Sequence, residues 1–106
     1  MLIHLPIIIL TSMQPTVVAD VIPKFDIVRE CQGEGGTKEM LKRCADDEAL
    51  ARAQLRTEWA QFSSAAKTQC LQEVSIDSAP SYVEFLTCLE MERDVTIERQ
   101  ANKTSK

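Results

Sequence analysis

Residues 37–62 read TKEMLKRCADDEALARAQLRTEWAQF, and this stretch carries the strongest periodic pattern in the chain. Its apolar side chains recur at intervals of three and four residues, with one interval of seven, which is typical of an amphipathic α-helix. Thr37 is the expected N-cap of this helix. The apolar positions are Leu41, Cys44, Ala51, Leu55, Trp59 and Phe62.

Glu48 occupies the position that would fill the interval of seven, so a carboxylate falls inside the apolar stripe. One explanation is that Glu48 pairs with Arg52, one turn later, at the edge of the stripe. Another is that Asp46 or Asp47 caps a new helix and that the long helix breaks there. A functional acid at Glu48 is the remaining alternative.

Shorter patterns flank the long helix. Residues 24–32 predict a short helix, which the glycines of GEGG at 33–36 end. After the long helix, Ser63 or Ser64 is expected to cap a further helix that runs to about Glu73.

The last helix is predicted to begin at a capping box formed by Ser81 and Glu84. The pattern fades past Asp94, so we expect a helical domain over 20–94 and a polar tail over 95–106 that frays. No strand pattern is present, and the predicted fold is all-α, a small disulfide-braced bundle of three to four helices. The apolar face of the last helix comprises Tyr82, Phe85, Leu86 and Leu89.

The N-terminal residues 1–19, MLIHLPIIILTSMQPTVVA, contain no Lys, Arg, Asp or Glu. An apolar run over 5–10 precedes a polar stretch, and residues 17–19 are small or branched. This layout predicts a secretory signal peptide cleaved after Ala19, although no Lys or Arg precedes the run. A transmembrane helix is disfavoured because the run is shorter than the ~20 residues that a span needs. A buried strand is the other alternative.

The chain contains four cysteines: Cys31, Cys44, Cys70 and Cys88. An even number of cysteines in a short exported chain indicates two disulfides. Structural zinc sites usually place two ligands two to four residues apart, and no two of these cysteines are that close. The chain also lacks the C-x-x-C pattern of a thioredoxin-like redox centre. Free packing thiols and a metal site are the alternatives.

Helix geometry narrows the pairing of these cysteines. A straight helix over 37–62 is roughly 38 Å long, which places Cys44 too far from Cys70 for paired Cα atoms, whose limit is about 7 Å. We favour a sequential scheme because it closes two short loops between adjacent helices. That scheme joins Cys31 to Cys44 and Cys70 to Cys88. The crossed scheme, Cys31 with Cys70 and Cys44 with Cys88, stays open.

The charges favour some partners over others. All sixteen acidic and twelve basic residues follow Ala19, and the net charge is −4. An acidic domain is poorly suited to nucleic acid or to an anionic membrane surface. The expected partner is a cationic envelope protein, the expected location is periplasmic or secreted, and no stable membrane span is expected after signal removal.

The available side chains exclude several chemistries. The only histidine, His4, lies in the segment expected to be removed, which excludes Ser-His-Asp and Cys-His catalysis and histidine metal sites. No P-loop, G-x-S-x-G or G-x-G-x-x-G motif is present. Two carboxylate clusters remain, and we interpret them as solvated helix faces, with a loose calcium site as the alternative. These clusters are Asp46, Asp47 and Glu48, and Glu90, Glu92 and Asp94. The chain is therefore expected to be non-enzymatic and to hold no cofactor or metal.

Residues 49–73 and 79–94, ALARAQLRTEWAQFSSAAKTQCLQE and APSYVEFLTCLEMERD, resemble a group of short exported four-cysteine helical proteins of alphaproteobacteria. The resemblance covers residues 31–94. It implies export and a helical fold but no activity, because the group has no assigned function. The matching positions are Trp59, Phe62, Cys70, Ser81, Tyr82, Val83, Glu84, Leu86, Thr87, Cys88, Leu89 and Glu90.

A fainter likeness is to the N-terminal domain of lysozyme-inhibitor LprI-type proteins, which are also exported, helical and cysteine-bridged. The corresponding positions would be Cys31, Glu39, Cys44, Leu50 and Leu55. This likeness implies an inhibitor of a cell-wall hydrolase but supplies no inhibitory residue. The sequence thus supports an exported binding or structural module without catalysis, with such an inhibitor and a thiolate metal or redox protein as alternatives.

Overall fold

The computed structural model describes residues 21–76 and 78–104, and these residues form helices and their connections. In chain order the elements are α1 (Ile27–Glu34), α2 (Lys38–Glu58), a 3₁₀ turn (Trp59–Gln61), α3 (Ser64–Val74) and α4 (Tyr82–Thr104). No strand occurs within 21–76 or 78–104. The predicted all-α, disulfide-braced bundle is therefore confirmed, while the expected signal segment 1–19 lies outside the described residues.

Each helix begins at a side-chain cap that accepts a backbone N–H bond, which stabilises an otherwise unpaired first turn. The caps are Asp26 for α1, Thr37 for α2, Ser63 for α3 and Ser81 for α4, with N···O distances of 3.1, 3.2, 3.1 and 3.3 Å. Thr37, Ser63 and Ser81 confirm the sequence prediction. The first helix starts later than predicted because Asp26 caps it, and it ends where Gly35 adopts a φ of 74°.

Helices α2 and α4 pack side by side and run in the same direction, and α3 packs on α4 in the opposite direction. Gln54 of α2 donates to Glu90 of α4 at 3.5 Å, and one turn further on Arg93 donates to Glu58 at 2.7 Å. Arg93 also donates to Gln61 at 2.9 Å, so its guanidinium joins α4 to the turn after α2.

The core lies where α2, α3 and α4 meet, and the predicted apolar face of α4 is buried in it. Phe25, from the segment before α1, packs against Tyr82 with ring centroids 4.6 Å apart and ring planes tilted by 35°. The hydroxyl of Tyr82 accepts from the Phe25 N–H at 2.8 Å and donates to the Pro23 carbonyl at 3.0 Å. The buried core residues are Ala51, Leu55, Phe62, Ala66, Cys70, Val74, Tyr82, Phe85, Leu86 and Leu89.

The two disulfides join neighbouring helices in the sequential scheme. Cys31 of α1 bonds Cys44 of α2, and Cys70 of α3 bonds Cys88 of α4, each with a Cα–Cα distance of 5.7 Å. This distance lies within the normal range for disulfides. Each bridge therefore closes one helix pair, as the loop argument predicts.

Two further predicted boundaries are wrong. Helix α2 ends at Glu58, before a 3₁₀ turn, and does not continue to Phe62. Helix α4 does not end near Asp94 but continues to Thr104, so most of the predicted polar tail over 95–106 is helix. Its residues over 95–103 are exposed, and a helix without a buried face lacks the apolar periodicity from which helices are recognised.

Candidate functional site: an acidic groove on the last helix

Glu48 of α2 is buried and caps the start of α4, although the two are far apart in sequence. It is 2% exposed, and its carboxylate accepts from the Tyr82 N–H at 2.7 Å and the Val83 N–H at 3.1 Å. The Ser81 hydroxyl donates a third bond at 2.8 Å. The carboxylate thus satisfies N–H groups that have no partner inside α4, and its charge is favourable at the positive end of the helix dipole.

Both ordinary explanations for Glu48 are therefore wrong. Its partners lie 33 to 35 residues away, not at Arg52, and α2 continues without a break past Asp46 and Asp47. The useful signal in the sequence is that a glutamate, Glu48, occupies a position on the core-facing side of α2. Such a group requires buried donors, and the start of another helix supplies them.

Each disulfide has a glutamate beside it. Glu30 Oε2 lies 3.5 Å from Cys31 Sγ and 3.4 Å from Cys44 Sγ, and Glu73 Oε2 lies 3.2 Å from Cys88 Sγ. A bridged sulfur carries no proton and no thiolate charge, so these contacts are neither cysteine hydrogen bonds nor metal ligation by sulfur. After reduction, a neighbouring carboxylate would disfavour a thiolate and so reduce its reactivity.

Glu30 lies in an acidic corner between α1, α2 and the start of α4. Burial is the largest cause that raises the pKa of Glu30, and together with the negative charges of Glu48, Glu34 and Glu84 it brings this pKa to about 7. Glu30 is 9% exposed. Unlike Glu48, it receives no N–H bond from the described residues, so its charged form is the costly one.

The predicted carboxylate clusters do not converge on one point. Asp46 pairs with Lys42 at 3.2 Å on the exposed surface. Glu90 and Asp94 approach Arg93 at 3.9 and 3.6 Å, whereas Glu92 lines a groove. The interpretation as solvated faces holds for Asp46, Asp47 and Asp94, which are exposed, but not for Glu48.

A shallow groove of about 350 Å³ runs along α4 beside the second disulfide. Its floor is apolar and exposed, with Val83 and Met91 41% and 63% accessible, and Thr87 lies between them. These three residues are four positions apart and therefore share one helix face. The lining residues are Glu73, Val83, Glu84, Thr87, Cys88, Met91 and Glu92.

We call this surface the acidic groove, because its apolar floor is flanked by the carboxylates of Glu73, Glu84 and Glu92. No basic residue lines it. A lysine or arginine side chain has the matching form, because its aliphatic stem can cover apolar surface while its charged head reaches the carboxylates. The groove is thus suited to binding a basic surface, and sequence periodicity missed it because its acids come from two helices.

The positions of the LprI likeness are dispersed. Leu55 is fully buried, Leu50 is 68% exposed, and Cys31 and Cys44 form the first disulfide. Glu39 is exposed in the first turn of α2. These residues share no groove.

Within the residues described, none of the helices combines the length and apolar character that crossing a membrane requires. Two disulfides fit an oxidising location outside the cytosol. Comparison with protein-family models, with curated proteins and with solved structures finds no match to this chain.

Proposed function

We propose that this protein is an exported, non-catalytic binding module, stabilised by two disulfides, that holds a cationic envelope protein in its acidic groove. The observation that carries the proposal is the groove itself, in which exposed Val83 and Met91 lie between carboxylates from α3 and α4. Apolar contact supplies affinity, and the surrounding charge selects a basic partner. The expected compartment is the periplasm or the exterior, where disulfides persist.

The buried acids support a role in binding rather than catalysis. Glu48, the most deeply buried carboxylate among the described residues, already accepts three hydrogen bonds from the start of α4. A group held in this way stabilises structure and has little freedom to exchange protons with a substrate. Both cysteine pairs are bridged, which argues against the thiolate metal or redox alternative.

The test is site-specific photo-crosslinking in the native host. A photoreactive residue at Thr87, in the groove, should capture a basic envelope protein, while the same residue at Ala53, exposed on α2, should not. Binding of the purified partner should weaken about tenfold or more on Glu92→Lys, since charge reversal next to an apolar contact is repulsive. Glu98→Lys, on the exposed end of the same helix, is the matched control. Equal capture at positions 87 and 53, or equal loss in both charge variants, would contradict the proposal.

Inhibition of a cell-wall hydrolase is the second candidate, because a lysozyme is a cationic protein that an acidic groove would attract. A turbidity assay of lysozyme on cell walls tests it directly. Excess protein should slow clearing, and Glu92→Lys should restore it. Unchanged clearing in excess protein would exclude this candidate and leave the broader proposal to the crosslinking experiment.

A further inference from the structure

A second concave surface has the opposite charge. A cleft of about 350 Å³ lies between the segment that precedes α1 and one face of α2. It contains three basic side chains and a tryptophan, and no carboxylate lines it. The lining residues of this Trp59 cleft are Val21, Ile22, Lys24, Arg52, Arg56 and Trp59.

The basic side chains of the Trp59 cleft have no ion-pair partner among the described residues. The ion pairs within 21–76 and 78–104 involve only Lys42 and Arg93 as cations. Arg52 and Arg56 are one helical turn apart, where like charges repel, and Lys24 adds a third positive charge from the facing segment. The cleft therefore concentrates positive charge in a protein whose net charge is −4.

Two contacts of neighbouring residues bear on the charge of this cleft. The ammonium of Lys67, a residue only 8% exposed, lies 4.4 Å from the centre of the Trp59 ring, so a fourth cation supports its wall. Glu48, one turn before Arg52, directs its carboxylate to the N–H groups that start α4. The nearest acid on the same helix face therefore forms no ion pair with Arg52.

We propose that the Trp59 cleft binds a small organic oxyanion that carries at least two negative charges on carboxylate or phosphate groups. Arginine presents a planar fork of donors that matches the oxygens of both groups, and lysine adds a point charge. The apolar walls formed by Val21, Ile22 and Trp59 suit the carbon body of such a ligand. The volume lies within the usual range for small-molecule sites. This site is independent of the acidic groove and of its cationic partner.

Trp59 is the only tryptophan in the chain, so fluorescence excited selectively in tryptophan comes from a single residue, which lines this cleft. The oxidised protein is titrated with pyrophosphate and with citrate, against sodium chloride at matched ionic strength. We expect a saturable change with at least one of the two anions and none with chloride. A response to both shows general oxyanion recognition, whereas a response to one assigns the phosphate or the carboxylate class.

Arg56→Gln should weaken the anion about tenfold or more, as expected for the loss of charge-assisted hydrogen bonds. Arg43→Gln is the matched control, because Arg43 is exposed on the same helix outside the cleft. Thermal unfolding is a second measurement: the anion should raise the midpoint of the parent protein but not that of Arg56→Gln, which should fold normally because it relieves repulsion. The absence of a saturable response to either anion, or equal weakening by both substitutions, would overturn the proposal.

Discussion

The two disulfides lie in different surroundings, although both join neighbouring helices. Cys70 is fully buried in the core, where α3 packs on α4. Cys31 is also buried, but the only other buried residue of α1 is Glu30, and the corner around it is acidic. The Cys70–Cys88 bridge therefore reinforces extensive packing, whereas the Cys31–Cys44 bridge supplements the sparse packing of α1, whose apolar contact with the core comes from the half-buried Ile27. A bridge has its most global effect where it is part of the core.

Removal of each bridge in turn should produce the largest difference between the regions. Cys70→Ala with Cys88→Ala should lower the free energy of unfolding of the whole domain by about 4 kcal/mol, from lost loop closure and a cavity in the core. Cys31→Ala with Cys44→Ala should cost less than about 2 kcal/mol globally, because α1 can detach while the remaining helices stay folded. Denaturant unfolding measures both values.

Hydrogen exchange separates local from global opening in the same pair of variants. Without the Cys31–Cys44 bridge, only the amides of α1 should lose protection, while those of α3 and α4 keep theirs. Without the Cys70–Cys88 bridge, protection should fall in all three helices. If the two removals have equal effects on stability and on the exchange pattern, the claim that the Cys70–Cys88 bridge acts globally and the Cys31–Cys44 bridge locally is wrong.

The next largest effect is expected at Glu48, which links the two regions. Glu48→Ala should lower the free energy of unfolding by about 3 kcal/mol, because it leaves buried N–H groups at the start of α4 unpaired. Asp47→Ala, at the exposed neighbouring position, should change stability by less than about 0.5 kcal/mol. Thermal or denaturant unfolding of both variants is the measurement. A small effect of Glu48→Ala would show that water replaces its carboxylate.

The smallest effect is expected from Glu30 and depends on pH. Its folded pKa of about 7 exceeds its unfolded value, so the folded state holds the proton more tightly. Stability from this group is complete below the unfolded pKa of about 4.3 and is lost progressively as the pH rises through the folded pKa of about 7. Glu30→Gln should therefore be more stable than the parent at pH 8 and nearly equal to it at pH 4.

Denaturant unfolding between pH 4 and pH 8 measures this difference. Glu39→Gln, at an exposed position on α2, is the control and should give a difference from the parent that does not vary across this pH range. A Glu30→Gln difference that is also constant with pH would show that the acidic corner does not perturb Glu30.

Local rules predict much of this fold. Thr37, Ser63 and Ser81 are caps because their hydroxyl oxygens accept an N–H group of the first helical turn. The cap and the donor lie within four consecutive residues, so this contact can be predicted from local sequence. The distance that a long helix imposes excludes a bond between Cys44 and Cys70, and short loop closure favours Cys31 with Cys44 over the crossed scheme. Both arguments need only helix geometry and neighbouring residues.

The features that sequence reasoning missed depend on contacts between distant residues or belong to helix that is exposed on all sides. Glu48 reaches donors 33 to 35 residues further along the chain, and no local pattern specifies which helix start it caps. The helical residues over 95–103 have no buried face to create periodicity, although Glu, Arg, Gln and Ala favour helix intrinsically. The acidic groove combines Glu73 of α3 with α4, which requires knowledge of the packing.

The hydroxyl of Tyr82 has a consequence for the order in which the molecule is completed. It bonds residues 57 and 59 positions earlier, at Phe25 and Pro23, whereas the disulfides span only 13 and 18 positions. A ribosome makes residues 21–26 long before Tyr82, so this segment, although it is synthesised first, can dock only after Tyr82 has been made. Because Val21, Ile22 and Lys24 form one wall of the Trp59 cleft, a nascent chain acquires that wall only after α4 has begun to form.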